Sequence, residues 1–242
     1  MIALEPLRGL PEVRPGDDLA ALLAAAAAGE LRPADVLAVA HKVVSKAEGR
    51  LVRLADVRPG ARARALAAEH GKDPRHVEVV LSETAELVRA EAGRLICRTR
   101  HGFVCANAGV DASNAGAPGA LVLLPEDPDA SARALRARLG CAVVVTDSFG
   151  RAWRHGQCEV AIGCAGLAPL EDWRGRPDSD GRALAATVIA VADEVAAAAD
   201  LARAKDSREP AVRVRGVERH VGTGDGPGVA ALIRAAEQDL FR

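Results

Sequence analysis

Aromatic side chains are nearly absent. Three Phe, two Trp and no Tyr among 242 residues leave Ala, Leu and Val to build the core. The same shortage removes the stacking surface that single-stranded nucleic-acid binders use. Lys plus Arg number 32 against 33 Asp plus Glu, so the formal net charge of −1 does not describe a chain built to coat nucleic acid or an anionic membrane. The length allows one large domain or two small ones, each with a real core. Residues 1–19 lack a basic segment followed by an apolar one, and the longest apolar stretch, residues 19–28, is about half a membrane span. A cytoplasmic protein is expected.

The five cysteines, Cys97, Cys105, Cys141, Cys158 and Cys164, include no C-x-x-C pair, so zinc-knuckle and thioredoxin-type chemistry is not indicated. Cys97, Cys141 and Cys158 lie in apolar runs and read as small buried hydrophobes.

Strand and helix signals alternate irregularly. Residues 35–40 (DVLAVA) and 141–146 (CAVVVT) are continuous apolar runs and predict buried strands. Residues 49–54, 94–99, 103–106, 160–165 and 211–215 are further strands, with a hairpin turn at His101-Gly102. Helices are expected over 17–28, 61–70, 73–88, 127–139 and 184–201, with a last one after GTGDGPG. Asp-Pro at 73–74 and 127–128 supplies a cap and a first-turn proline, and Asp180 is taken as another cap. Residues 107–116 and 147–151 are Gly-containing loops. Hairpins mixed with crossovers predict an α+β fold of mixed, partly antiparallel sheets with packed helices. Residues 1–242 form a single module, or two intimately packed subdomains.

Three constellations could carry chemistry. Asp111 and Asp147 each follow an apolar strand, and two carboxylates brought together at a sheet edge suit a hard divalent cation, with the Ser148 hydroxyl adding an oxygen. The plainer reading makes both aspartates turn caps. Lys42 and Lys46 flank Ser45 after a buried strand and could reach a phosphate, although no G-x-x-x-x-G-K-[ST] loop exists and a solvated strand end is commoner. Arg151, Arg154 and His155, with Trp153 among them, make a cationic cluster close to Asp147 in sequence. It suits an anionic substrate, or is simply a charged surface.

The segments GLPEVRPGDDL, DVLAVAHKVVSKAEGR, CANAGVDASN, VVVTDSFGRAWRHG, GLAPLEDWRGRPDSDGR and PAVRVRG span almost the whole chain. In that order they resemble the coenzyme F-420-0:L-glutamate ligases, the gamma-glutamyl ligases of the deazaflavin coenzyme. VVSKAEGR, NAGVDASN and TDSFGR are its specific motifs. The resemblance implies a gamma-glutamyl ligase-type fold and a GTP- and divalent-metal-dependent amide ligase. Such an enzyme joins L-glutamate to the carboxylate ending the coenzyme's phospholactyl side chain, then adds gamma-linked glutamates through an acyl phosphate, releasing GDP and phosphate. It implies Mg²⁺ or Mn²⁺, two ions, on Asp111, Asp147 and Ser148, with room for a monovalent cation such as K⁺. Nucleotide contacts fall on Leu10, Pro11, Glu12, Val13, His41, Lys42, Lys46 and Asn114, with Lys46 holding phosphate. Arg151, Arg154 and His155 are assigned to the anionic substrates from charge and proximity.

Two departures stand out. His41-Lys42 replaces the archaeal Ser-Thr pair, and residues 205–209 (KDSRE) replace a Gly-rich loop, so contacts from that loop are not carried over. A homodimer is expected. The chain stops at Arg242, so no C-terminal reductase domain of the kind fused in some relatives is expected. Two other readings stay open: a ligase of this fold for another carboxylate, and a non-catalytic nucleotide- or deazaflavin-binding module.

Overall fold

The structure is a computed structural model that describes residues 1–239; the last three residues of the expected module lie outside them. The chain runs β1 (Ala3–Pro6), α1 (Leu19–Ala26), β2 (Val36–Ala40), α2 (His41–Ala47), β3 (Leu51–Arg53), α3 (Ala61–His70), α4 (Pro74–Ser82), β4 (Thr84–Glu91), β5 (Arg94–Thr99), β6 (Val104–Ala106) and β7 (Ala120–Val122). It continues through α5 (Pro128–Leu139), β8 (Ala142–Arg151), β9 (Arg154–Ala165), β10 (Glu171–Asp172), β11 (Val188–Ile189), α6 (Val191–Asp200) and β12 (Ala211–Arg215).

The central sheet has the order β1-β12-β2-β8-β9. Only β2 and β8 run parallel, and the other three pairings are antiparallel. This is the mixed α+β architecture expected. β2 and β8 sit in the middle, so both faces of VLAV and AVVV are buried, and continuous apolar runs replace alternation. Helices α5 and α6 pack against β8 and β9. The approach is close at Gly163, where a Cβ would lie 2.3 Å from the Pro128 carbonyl oxygen. A second apolar cluster, from Ala63, Ala67, Val77 and Val80 to Leu95 and Cys97, joins α3 and α4 to the β4-β5-β6 sheet.

Capping follows the sequence closely. Asp18, Asp73 and Asp127 accept from the backbone N–H groups of Ala21, Arg75 and Ala130, and Gly71 and Gly140 end their helices in the left-handed conformation. Cys97, Cys105, Cys141 and Cys164 are buried, while Cys158 is half-buried; all five are free. Burial pushes the Cys105 and Cys164 thiols up to about 12 and Cys141 to about 11, which keeps them inert.

Several expected elements differ. The helix expected over 73–88 stops at Ser82, and Leu87 and Val88 belong to β4, which pairs with β5. Tertiary pairing there overrides an i, i+7 coincidence of apolar residues. The helix expected from 184 begins only at Val191, after β11. Asp180 therefore caps no helix; its N–H donates to Asp178 in a turn. Among the described residues GTGDGPG leads into 3₁₀ turns, Val229–Leu232 and Ala236–Gln238, rather than an α-helix. Residues 147–151 are not a loop: β8 runs on to Arg151 and forms a hairpin with β9 through Ala152 and Trp153. Among the described residues no helix is long and apolar enough to cross a membrane.

Candidate functional site

Helix α2 follows β2 directly, with Ala40 as an extended N-cap. Its roughly two turns deliver three side chains to three different segments. The buried His41 imidazole places Nε2 3.3 Å from Asp147 Oδ1, while Nδ1 lies 3.3 Å from Ser45 Oγ. Lys42 donates to Asp111 Oδ2 and to Ser113 Oγ, both at 2.5 Å, and to the Ser113 carbonyl at 3.0 Å. Lys46, buried itself, donates to Glu12 Oε1 at 2.5 Å. The N-terminal segment, α2, the Asp111 loop and β8 therefore meet around one helix.

Each partner is held from its own side. Val13 is buried and Leu10 packs on the main core, which fixes the segment carrying the exposed Pro11 and Glu12. A groove lined by Pro11, Glu12, Arg14 and Asp17 opens beside it. Asp111 is pinned by a two-way backbone bridge to Val122 of β7, at 3.0 and 2.8 Å. The turn feeding it is strained: Asn107 and Ala108 both have φ of 53°, and Asn114 beyond it has 54°. Left-handed non-glycine residues are uncommon and concentrate where a loop is held for function. Gly109 is a contact requirement, since a Cβ there would meet the Leu124 side chain at 2.7 Å.

Burial alone would raise the Asp111 carboxyl. The Lys42 ammonium and the Ser113 N–H and hydroxyl overcome it and hold the group below the ordinary carboxylate value. Asp111 is thus an anion held ready for a cationic partner.

Successive residues on a strand point to opposite faces. Asp147 faces His41. Ser148 faces the other way, where its hydroxyl donates to Glu159, the residue directly across on β9, and accepts from Lys205 Nζ at 2.7 Å. Thr146, two residues back, shares the Ser148 face: Arg203 reaches its hydroxyl at 3.3 Å and Glu159 at 3.2 Å. Burial would raise the Glu159 carboxyl, but the hydroxyls of Ser148 and Thr146 with Arg203 and Lys205 keep it below its usual range.

Asp111 and Asp147 are carboxylates, the donor type a hard divalent ion takes. Mg²⁺ is commonly held by one or two carboxylates, with waters and substrate phosphates completing the shell. Among the described residues no group of three or more His, Cys, Asp or Glu could hold a metal ion. The buried His41 Nε2 has no aligned hydrogen-bond partner, leaving unsatisfied polarity beside Asp147. Ser148 lies on the opposite face, with its hydroxyl engaged by Glu159 and Lys205.

Arg151, Arg154 and His155 are not brought to this cluster. Extending β8 into a hairpin carries Arg151 roughly 13 Å along the strand from Asp147, at about 3.3 Å per residue. Arg151 donates to the carbonyls of His155 and Gly156, bracing the hairpin end, where Trp153 stands exposed. Ser113 and Glu159 were given no role by the sequence reading, and Lys205 entered it only as the start of the divergent segment 205–209. Glu159 alone left a signal, a single carboxylate beside the apolar run 160–165.

The family model described as F420-0:Gamma-glutamyl ligase matches residues 9–216. The chain is 47% identical to the coenzyme F420:L-glutamate ligase of Methanopyrus kandleri, over 100% of this chain and 98% of that protein. It is 42% identical to the protein of the same name from Methanothermobacter thermautotrophicus, over 100% and 99%. The namesake from Natronomonas pharaonis is 47% identical, over 97% and 92%.

Proposed function

Because the chain belongs to the F420-0:gamma-glutamyl ligase family, we propose that it is an amide ligase that adds L-glutamate to the deazaflavin coenzyme F-420-0, at the expense of GTP. The observation that carries this reading is the meeting on α2 of Asp147, Asp111 and Glu12, through His41, Lys42 and Lys46. Anion-holding and cation-holding groups alternate there within one helix, as a nucleotide triphosphate with its metal requires.

A carboxylate is a poor acyl donor and must be activated. In the proposed reaction the coenzyme's terminal carboxylate attacks the γ-phosphorus of GTP, the bond to the bridging oxygen breaks, and GDP leaves. The glutamate amine then attacks the acyl phosphate, loses a proton, and phosphate departs. A divalent ion bound at the site supplies charge neutralisation between these anions. Asp111 and Asp147 would hold it. Lys46 is a buried point charge for a phosphate oxygen, released from Glu12 as the nucleotide enters. Lys42, which donates to Asp111 here, would face the nucleotide with an ion held on Asp111. Leu10, Pro11, Glu12, Val13 and Asn114 line the nucleotide side. Arg151, Arg154 and His155, farther along the β8–β9 hairpin, would meet an anionic substrate group away from the reacting carboxylate. The protein works as a homodimer in this proposal, which light scattering checks.

The test is mass spectrometry of protein incubated with F-420-0, L-glutamate, GTP and Mn²⁺ or Mg²⁺, beside Asp147→Ala. Stepwise glutamate additions, lost in the variant, support the reading. No addition by the wild type under any metal overturns it and turns attention to another carboxylate acceptor.

A further inference from the structure

The few aromatic side chains are not spread evenly. Of the three Phe and two Trp, Phe103, Phe149 and Trp153 belong to the β5–β6 turn and the β8–β9 hairpin. Phe149 follows Asp147 by two residues on β8, so alternation puts it on the Asp147 face. It meets Phe103 in a T-shaped contact, with ring centroids 6.1 Å apart at 69°. Phe103 in turn stacks on His101 at 5.6 Å and 21°, and His101 Nε2 lies 3.0 Å from the carbonyls of Pro125 and Glu126. The tilt of the Phe149 ring is thus fixed from behind, yet the residue stays half-buried. Across the hairpin Phe149 is paired with half-buried Cys158, and Asp147 with Val160. An apolar strip therefore lies flush with the Asp147 carboxylate. The other face of the hairpin is taken up by Ser148, Glu159, Arg203 and Lys205.

We infer that Phe149, with Cys158 beside it, is the platform on which the acceptor's deazaflavin ring stacks, and so the residue that selects a ring-bearing carboxylate over a plain one. The inference rests on the ligase reading above and deepens it. A flat aromatic body on a flexible anionic tail needs apolar area next to the place where its carboxylate reacts. Two residues of strand separate Phe149 from Asp147, roughly 7 Å, so a ring stacked there keeps its tail within reach of the carboxylate site. Offset or edge-on packing against a Phe ring adds to the area buried. A ring already fixed by Phe103 loses little freedom when the ligand arrives. The Ser148 face offers ionic groups and no such area. The nucleotide's own base has a separate place, the groove of Pro11, Glu12, Arg14 and Asp17.

The test measures binding with GDP and Mn²⁺ present, so that no phosphoryl group is available for turnover. F-420-0 is titrated by deazaflavin fluorescence anisotropy, and Cys158 is labelled with N-ethylmaleimide and read by intact mass. The other four cysteines are buried, so one fast adduct is expected, absent from Cys158→Ser. F-420-0 at about ten times its Kd should slow that adduct about tenfold, because only the free protein reacts. The deazaflavin alcohol lacking the phospholactyl group should do the same, whereas GDP and Mn²⁺ alone should leave labelling fast. Phe149→Ala should weaken F-420-0 by about tenfold or more, Phe149→Leu by less, and Phe149→Tyr hardly at all, with GDP affinity unchanged throughout. A merely structural role would instead lower the melting temperature and the GDP affinity together. Protection by GDP alone, full affinity in Phe149→Leu and Phe149→Ala, or a loss in Trp153→Ala but not in Phe149→Leu overturns the inference, while glutamate addition by the same wild-type protein keeps the ligase reading. A wild type that neither binds F-420-0 nor adds glutamate overturns both. If Phe149→Ala does not fold, Phe149→Leu and the Cys158 labelling decide.

Discussion

The buried His41 imidazole stands 3.3 Å from Asp147, and the two residues come from elements more than a hundred positions apart. The parallel pairing of β2 with β8 is what makes them neighbours. Ala40 is in register with Thr146, so His41, where the chain leaves the sheet, stands level with Asp147, which continues along β8.

His41 should therefore orient Asp147 rather than act on substrate. Groups that orient a metal ligand typically contribute about 10–100-fold in metal affinity. His41→Ala is expected to weaken Mn²⁺ binding by about that factor, with His41→Asn recovering part of it. Isothermal titration of both variants measures this. Equal affinities in wild type and His41→Ala would remove the positioning role.

Removing the carboxylates themselves should cost far more. Metal stabilisation of transferring phosphoryl charge is worth several kcal/mol, and each 1.36 kcal/mol is tenfold in rate. Asp111→Ala and Asp147→Ala should each lower glutamate addition by about 10³-fold, measured by coenzyme mass change over time. Losses below tenfold would place the metal elsewhere.

The chemistry was easier to read from the sequence than the geometry. Asp111, Asp147, Lys42 and Lys46 are short-range signals, each a charge following an apolar strand, and the structure gathers them around α2. The central strands were legible because AVVV and VLAV leave no other use for so many buried β-branched and aliphatic residues. The facing of Asp147 and Ser148 was not legible, because reading residues 147–151 as a loop discards the two-residue period that separates them. Only the pairing of Ser148 with Glu159 across the hairpin reveals it. Lys205 was invisible for the same reason: its partners come from β8, β9 and α6, and no local pattern brings them together.

Acid should unfold this protein through two buried carboxylates. Asp35 would be raised by burial, but Arg215 and the Arg32 N–H hold it below its ordinary value of 3.8. Glu159 is likewise held below 4.5. A depressed folded-state pKa contributes stability that is present above the unfolded value and lost as pH falls through the folded one. Both contributions are thus intact at pH 7 and disappear below about pH 4. Glu48 and Asp193, raised by burial, act in the opposite sense and partly offset the loss as pH falls. Urea midpoints should drop steeply below about pH 4, and Asp35→Asn should be less stable at pH 7 with a flatter acid limb. An unchanged acid limb in that variant would show that Asp35 does not drive the transition.

The pair Glu159 and Arg203 offers a stability test separate from activity. Their side chains are 4% and 7% exposed, so truncating either breaks a buried pair, and Arg203→Ala would leave Glu159 the largely exposed Lys205 as its cation. Breaking such a pair from one side costs about 3–5 kcal/mol. At roughly 2–4 °C per kcal/mol for a chain of this size, Arg203→Ala should lower the melting temperature by about 6–20 °C. Replacing both residues together, Glu159→Leu with Arg203→Met, should recover most of that loss, because the penalty comes from the unpaired charge rather than from losing an attraction. It should also release Lys205, whose remaining anionic partner would be Asp200. Calorimetry of the single and double variants separates the two effects. A double variant no more stable than Arg203→Ala would mean that the cluster holds β8, β9 and α6 together by its hydrogen bonds, not by charge balance.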